Sequence, residues 1–234
     1  RTAASLIEAE PIITTATDAE SAFAVDTFAK ENGFLLTDLR KAKEVSAKVL
    51  RGEKLRIYSD IPMERLVHRP ARHEAELVPA QDIDRADIVI SYRTKLLNQA
   101  TGLRLIAKRV HVGLGARKGV TQAEVAAAVA TCLEDAGIDP RAVVALASID
   151  LKKQEAGILA YSYESGVPFV TYTAEELRTV EGAFAGSSFV QSVTGVANVC
   201  ERAAAYAAGR SGHAEVLVHK TIHGSVTTAV AVEA

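Results

Sequence analysis

The chain has 234 residues, 48% apolar and 24% charged, with a formal net charge of −2. That balance describes an ordinary globule of one large or two modest domains, and it excludes a global basic field for nucleic acid or membrane surfaces. Two cysteines without a C-x-x-C exclude a disulfide framework and point to a reducing, cytoplasmic compartment, and no apolar run approaches the roughly 18 residues that cross a bilayer.

The chain opens on Arg1 and holds its one methionine at Met63, so residues are expected to precede it and no targeting peptide is readable. Residues 1–9 read as the tail of a helix. Glu10-Pro11 leads into a short strand at 12–15, and Asp18 stands where an N-cap belongs, ahead of a helix to Asn32-Gly33. A second helix covers 39–50 and is ended by Gly52; a strand follows at 54–59. The stretch 60–81 carries three prolines and the cluster Arg65, His68, Arg69, Arg72 and His73, read as a solvated loop in preference to a substrate contact. A buried strand at 86–91 and a short irregular link at 96–105 complete residues 1–107, taken as an N-terminal remnant plus a central α/β domain.

After Lys108 strands and helices alternate. A strand at 110–114 precedes a helix at 122–136, whose apolar face is Val125, Val129, Cys132, Leu133 and Ala136. A strand at 143–147, a helix at 153–164, a Gly166-Val167-Pro168 break and a strand at 169–172 follow, with Thr173 and Glu176 as a capping box. A glycine- and serine-rich segment at 182–188 leads to a helix at 196–208. Strands at 215–219 and 225–232 then read as a hairpin through 221–224. The expected fold is α/β with two α/β domains. The C-terminal one (108–234) is a three-layer sandwich with a mainly parallel sheet and an edge hairpin.

Within it, Gly113-Leu114-Gly115-Ala116-Arg117-Lys118-Gly119 joins a strand to a helix that opens on a Thr121/Glu124 capping box. Backbone N–H groups, the helix dipole and two cations make such a turn a place for an anion, although a plain chain reversal accounts for it too. The spacing fits neither a P-loop nor G-x-G-x-x-G. Ligands in such sheets sit beyond the carboxyl ends of the strands. That rule gathers 113–119, Ser148-Ile149-Asp150, the Tyr172-Thr173 turn and a helix start at Thr194-Gly195-Val196. Asp150 is the best-placed base, with an N-cap for the helix near Lys153 as its alternative. Glu124 is accounted for by its capping box. Cys200 lies inside a helix and reads as a small buried hydrophobe. The histidines form no metal signature; His219 and His223 are four apart on a hairpin, where that spacing makes no shared helical face.

These segments together resemble the cobalt-precorrin-5A hydrolase family of anaerobic cobalamin biosynthesis. The glycine stretch is similar to the family's G-x-G-C-R-[RK]-G, and Ala147-Ser148-Ile149-Asp150-Leu151-Lys152 to A-S-I-D-x-K. Gly195-Val196-Ala197-Asn198-Val199-Cys200-Glu201 is similar to G-V-x-N-V-C-E. Lys220 with Gly224-Ser225-Val226-Thr227 resembles the closing K-x(3)-G-x-V-T, and Pro11 to Asp18 the P-V-I-T-T-A-T-D near the start. Two departures stand out. Ala116 replaces a common cysteine, which argues against a mechanism needing that thiol, and the S-G-H-x-G-G-A-N segment of the family's N-terminal domain is absent.

The resemblance implies a corrinoid substrate rich in carboxylates and bearing a δ-lactone, which the family opens with water before expelling acetaldehyde. It implies that Arg117 and Lys118, with the amides of Gly113, Gly115 and Gly119, hold a peripheral carboxylate or the lactone carbonyl. Asp150 is the candidate for activating water. Thr14, Thr15, Thr17, Ser148, Gly195, Asn198 and Lys220 are candidate substrate contacts. Cobalt would arrive inside the substrate, so no protein-bound cofactor or metal is expected. The expected partner is a small-molecule corrinoid and neither nucleic acid nor membrane; a homodimer stays open. A non-catalytic tetrapyrrole-binding accessory protein is the alternative, and the Pro11–Asp18 segment favours the hydrolase. A nucleotide-binding domain is weakened by the glycine spacing.

Overall fold

The computed structural model describes residues 23–182, 184, 186–210 and 213–233. The strand expected at 12–15 and the Asp18 cap lie outside the described residues.

The first elements are α1 (Val25–Glu31), β1 (Phe34–Leu36), α2 (Leu39–Leu50), β2 (Leu55–Ser59), β3 (Ala75–Leu77), β4 (Ile88–Ser91), α3 (Thr94–Gln99) and β5 (Leu103–Ala107), in a sheet of order β1-β5-β4-β2-β3. Asp38 starts α2 by accepting from the Arg40 and Lys41 amides at 2.8 and 3.1 Å, satisfying donors that a helix start leaves open. Strands β2, β3 and β4 are parallel, and Leu55, Ile57, Ile88 and Ile90 are fully buried.

The second group is β6 (Val110–Ala116), α4 (Gln122–Asp135), β7 (Val143–Ile149), α5 (Ala156–Ser165), β8 (Phe169–Tyr172), α6 (Ala174–Arg178), α7 (Ser188–Thr194), α8 (Cys200–Gly209), β9 (Ala214–His223) and β10 (Val226–Glu233). The sheet order is β8-β7-β6-β10-β9. β6, β7 and β8 are parallel, and the β9/β10 hairpin adds two antiparallel strands at one edge, so the expected α/β sandwich with an edge hairpin is what forms. Strand alternation sorts the core. Val110, Val112 and Leu114 meet Val125, Val129 and Leu133 of α4 and Ile158 of α5. On the other face, Ala147 and Ile149 pack with Ala203 and Ala207 of α8, and Ala231 with Ala204 and Ala208.

The chain divides into two compact units. One holds Leu36–Ile90 and Ala100–Leu105 with the described residues up to Asn32; the other holds Gly33–Leu35, Ser91–Gln99 and the described residues from Ile106 on. Several boundaries differ from expectation. The link at 96–105 contains the second half of α3 and most of β5, whose short apolar runs give little periodicity to read. The basic loop at 60–81 includes strand β3. The helix expected from 153 begins at Ala156, after a 3₁₀ turn at Asp150–Lys152. The helix expected from 196 begins at Cys200, and a further short helix, α7 at Ser188–Thr194, stands between the serine-rich segment and it. β9 runs on to His223, so the hairpin turns at Gly224-Ser225.

Candidate functional site

Because β6, β7 and β8 are parallel, their carboxyl ends share one edge, and the Arg117, Asp150 and Thr173 turns follow from it. β6 continues to Ala116, two residues past expectation, because Gly115 and Ala116 pair with Thr227 and Val226 of β10. Gly113 and Gly115 are therefore strand residues rather than part of the turn. Gly113 lies beneath α8, where an added Cβ would overlap the Cys200 carbonyl oxygen, and at Gly115 it would overlap the Thr227 hydroxyl. Both glycines serve close packing.

The turn itself is Arg117-Lys118-Gly119. The Arg117 amide donates to the Ser225 carbonyl at 2.9 Å, and Gly119 takes the left-handed conformation (φ +80°) that reverses the chain. The Gly119 amide is spent on the chain's own carboxylate, donating to Glu155 Oε1 at 2.7 Å while Lys152 Nζ donates to Oε2 at 3.0 Å. Gly157 permits this: a Cβ there would overlap the Val120 carbonyl, so its absence lets α5 start against the turn. Burial works to raise the Glu155 pKa, but the Lys152 and Gly119 hydrogen bonds leave it lowered. The Arg117 and Lys118 side chains stay exposed, and the Arg117 guanidinium has no hydrogen-bond or ion-pair partner among the described residues.

Behind the turn the Thr121/Glu124 capping box forms as expected. Ser225 adds a hydroxyl hydrogen bond to Glu124, and this, with the Thr121 amide and hydroxyl, holds the carboxyl down at about 2. Asp150 is half-buried where β7 ends. Its carbonyl accepts from Lys153, but its carboxylate meets no partner among the described residues, and with α5 starting at Ala156 it caps no α-helix. Ser148 is fully buried and donates to the Leu114 carbonyl at 2.7 Å, stitching β7 to β6.

The remaining candidates gather at the start of α8. Gly195 is not a helix start; it closes α7 in the left-handed conformation (φ +74°). Asn198, 1% exposed, caps α8 by accepting from the Glu201 amide at 3.0 Å. Lys220 contributes its backbone amide, which donates to Glu201 Oε1 at 2.7 Å. Glu201 is a site residue that spacing and residue type alone do not single out. It is 1% exposed, and its Oε2 lies 3.3 Å from His219 Nδ1. Its place at the end of the Gly195-to-Glu201 motif was the available signal. Cys200 is buried as expected, and burial pushes its thiol up to about 11, far from a nucleophile. No group of three or more His, Cys, Asp or Glu among the described residues could hold a metal ion. Thr14, Thr15 and Thr17 lie outside the described residues.

The edge thus brings together Arg117, Lys118, Gly119 and Asp150, while Glu201 joins Asn198 and Lys220 beneath α8. The chain matches two family models: Cobalamin synthesis G C-terminus over residues 110–231, and Cobalamin biosynthesis central region over residues 23–106. It is 34% identical over 209 residues to the cobalt-precorrin-5A hydrolase of Salmonella typhimurium, an alignment covering 86% of this chain and 59% of that protein. To the cobalt-precorrin-5A hydrolase of Priestia megaterium it is 27% identical over 242 residues, covering 99% of this chain and 64% of that one. The chain therefore spans under two thirds of the length of these relatives. Among solved structures, CobE, a protein from the cobalamin (vitamin B12) biosynthetic pathway, superposes with a TM-score of 0.51 at 27% identity, covering 53% of this chain and 89% of CobE. With a model for each part of the sequence and these relatives along most of it, the chain belongs to the cobalamin synthesis G family, that of the cobalt-precorrin-5A hydrolases.

Proposed function

We propose that the chain acts in cobalamin biosynthesis as a hydrolase that opens the δ-lactone of cobalt-precorrin-5A and releases acetaldehyde. The observation that carries this reading is the placement, at one sheet edge, of an exposed guanidinium and a half-buried carboxylate, Arg117 and Asp150, neither of which has a side-chain partner among the described residues. A guanidinium can hold a carboxylate through two parallel hydrogen bonds or steady the oxyanion of an attacked lactone carbonyl, and Lys118 adds charge beside it. Asp150 takes a proton from water. The hydroxide oxygen bonds to the lactone carbonyl carbon, the ring C–O bond breaks, and the freed alkoxide is protonated. Cobalt enters as part of the substrate.

The likeness to CobE over half of the chain favours one second reading, a non-catalytic corrinoid-binding accessory protein. Anaerobic incubation of the purified chain with cobalt-precorrin-5A, with acetaldehyde read by alcohol dehydrogenase and NADH, separates the two. Catalytic release supports the hydrolase, whereas tight corrinoid binding without release points to the accessory role.

A further inference from the structure

The turn that carries Arg117 and Lys118 is held at both ends by the chain's own carboxylates. At its first residue the Arg117 amide donates to the Ser225 carbonyl at 2.9 Å, and the Ser225 hydroxyl donates to Glu124. At its last residue the Gly119 amide donates to Glu155 Oε1 at 2.7 Å, across 36 residues of sequence. Glu155 Oε2 accepts from Lys152 Nζ at 3.0 Å, and the side chains of Glu155 and Lys152 are 10% and 18% exposed. Lys152 ends the 3₁₀ turn Asp150–Lys152, which follows β7, the parallel neighbour of β6. The Glu155 amide also donates to the Lys152 carbonyl at 3.0 Å, so main chain and side chain both fix the carboxylate to the Asp150 turn. One carboxylate therefore spans the two turns that hold Arg117 and Asp150. A helix cap does not account for it: Glu155 stands just before α5, but its side chain bonds no amide of that helix.

We infer that Glu155 is a positioning residue, which sets where the Arg117 guanidinium stands relative to the Asp150 carboxylate without itself touching substrate; this rests on the hydrolase reading for what those two residues act on. Gly119 takes the left-handed conformation (φ +80°) and, lacking a side chain, has the most backbone freedom to lose. A charge-assisted hydrogen bond from its amide to a covered carboxylate is the strong kind that holds such a residue in place. Glu155 also supplies the anion that this amide would otherwise attract. The amide is then closed to a substrate carboxylate, which falls to the exposed side chains of Arg117 and Lys118. Reacting groups work only near their productive geometry, and a misplacement of about 1 Å costs on the order of 100-fold. A carboxylate behind the turn thereby governs the pair in front of it.

The experiment compares wild type, Glu155→Ala and Glu155→Gln by ¹⁵N relaxation of the ligand-free chain, and by titration and turnover with cobalt-precorrin-5A. A glutamine oxygen still accepts from the Gly119 amide, so Glu155→Gln keeps the tie while losing the charge. Order parameters at Lys118 and Gly119 should stay near about 0.85 in wild type and Glu155→Gln and fall below about 0.6 in Glu155→Ala. Turnover by Glu155→Ala should drop about 100-fold, with Glu155→Gln close to wild type. Arg117→Ala should weaken corrinoid binding about 10-fold or more in the wild-type background but under about 3-fold in the Glu155→Ala background. A residue that only stabilised the fold would leave the Arg117 effect equal in both backgrounds. That equality overturns the inference, as does an ordered turn in Glu155→Ala or a Glu155→Gln variant as impaired as the alanine. Should the alanine variant fail to fold, Glu155→Asp, one methylene too short to span the turns, takes its place in each measurement. If the wild-type chain neither binds nor converts the corrinoid, the hydrolase reading fails, and the order of the turn alone decides whether Glu155 positions it.

Discussion

Gly113 shows how one residue can be misread from spacing. It stands in a glycine-rich stretch that suggests an anion cradle, yet its backbone belongs to the β6 ladder, and its missing side chain is what lets the Cys200 carbonyl of α8 lie against the sheet. The neighbour in the way is main chain, which cannot swing aside, so Gly113→Ala should cost about 3 kcal/mol or more. A fall in thermal midpoint of only a degree or two would show that α8 can move. Arg117 is the opposite case, exposed and partnerless among the described residues, so its removal costs the fold little. Arg117→Ala should keep the wild-type melting temperature and weaken corrinoid binding in a direct titration. Unchanged affinity would exclude a role for the guanidinium in holding substrate carboxylates.

Elements with local chemical signals were legible in the sequence. The boxes Thr121/Glu124 and Thr173/Glu176 form where S/T-x-x-E stands, since the hydrogen bonds span three residues of one segment. The hairpin and the parallel strands followed from alternation and turn residues. What escaped depends on contacts far along the chain. α3 is six residues long, too short for periodicity, and its first amide donates to Gly137, which no local pattern announces. Glu155 filling the Gly119 turn, and Glu201 linking α8 to β9, are carboxylates whose partners lie 36 and 19 residues away. The first capping box carries a pH signature. Hydrogen bonds from Ser225 and then Thr121 hold Glu124 at about 2, down from 4.5 in an unfolded chain. A carboxyl depressed on folding stabilises fully above its unfolded pKa and loses that contribution as pH falls through the folded one. Wild type should therefore exceed Glu124→Gln in stability near pH 6, and the gap should close between pH 4.5 and 2 in denaturant titrations. A gap independent of pH would assign the difference to shape rather than charge.

At the scale of the molecule, family boundaries and packing boundaries differ. The central-region match runs over residues 23–106, yet Tyr92 and Leu97 within it are buried in the core that holds Val112, Leu114, Val129 and Leu133. The backbone ties agree: Arg93 bridges Ile138, the Thr94 amide donates to Gly137, and Asp139 donates to Tyr92, each at 2.9 Å for the two hydrogen bonds. Helix α3 is thus part of the second unit although it precedes that unit's first long strand. Leu97 is 2% exposed, so Leu97→Ala should cost roughly 2–5 kcal/mol through lost transfer energy and the cavity left behind. The loss belongs to one core, and amide exchange can locate it. In the variant, protection should fall in β6, β7 and α4, while β2 and β4 keep the exchange rates of the wild type. Faster exchange confined to β2 and β4 would place Leu97 in the first core instead, and would return α3 to the central region that the sequence match gives it.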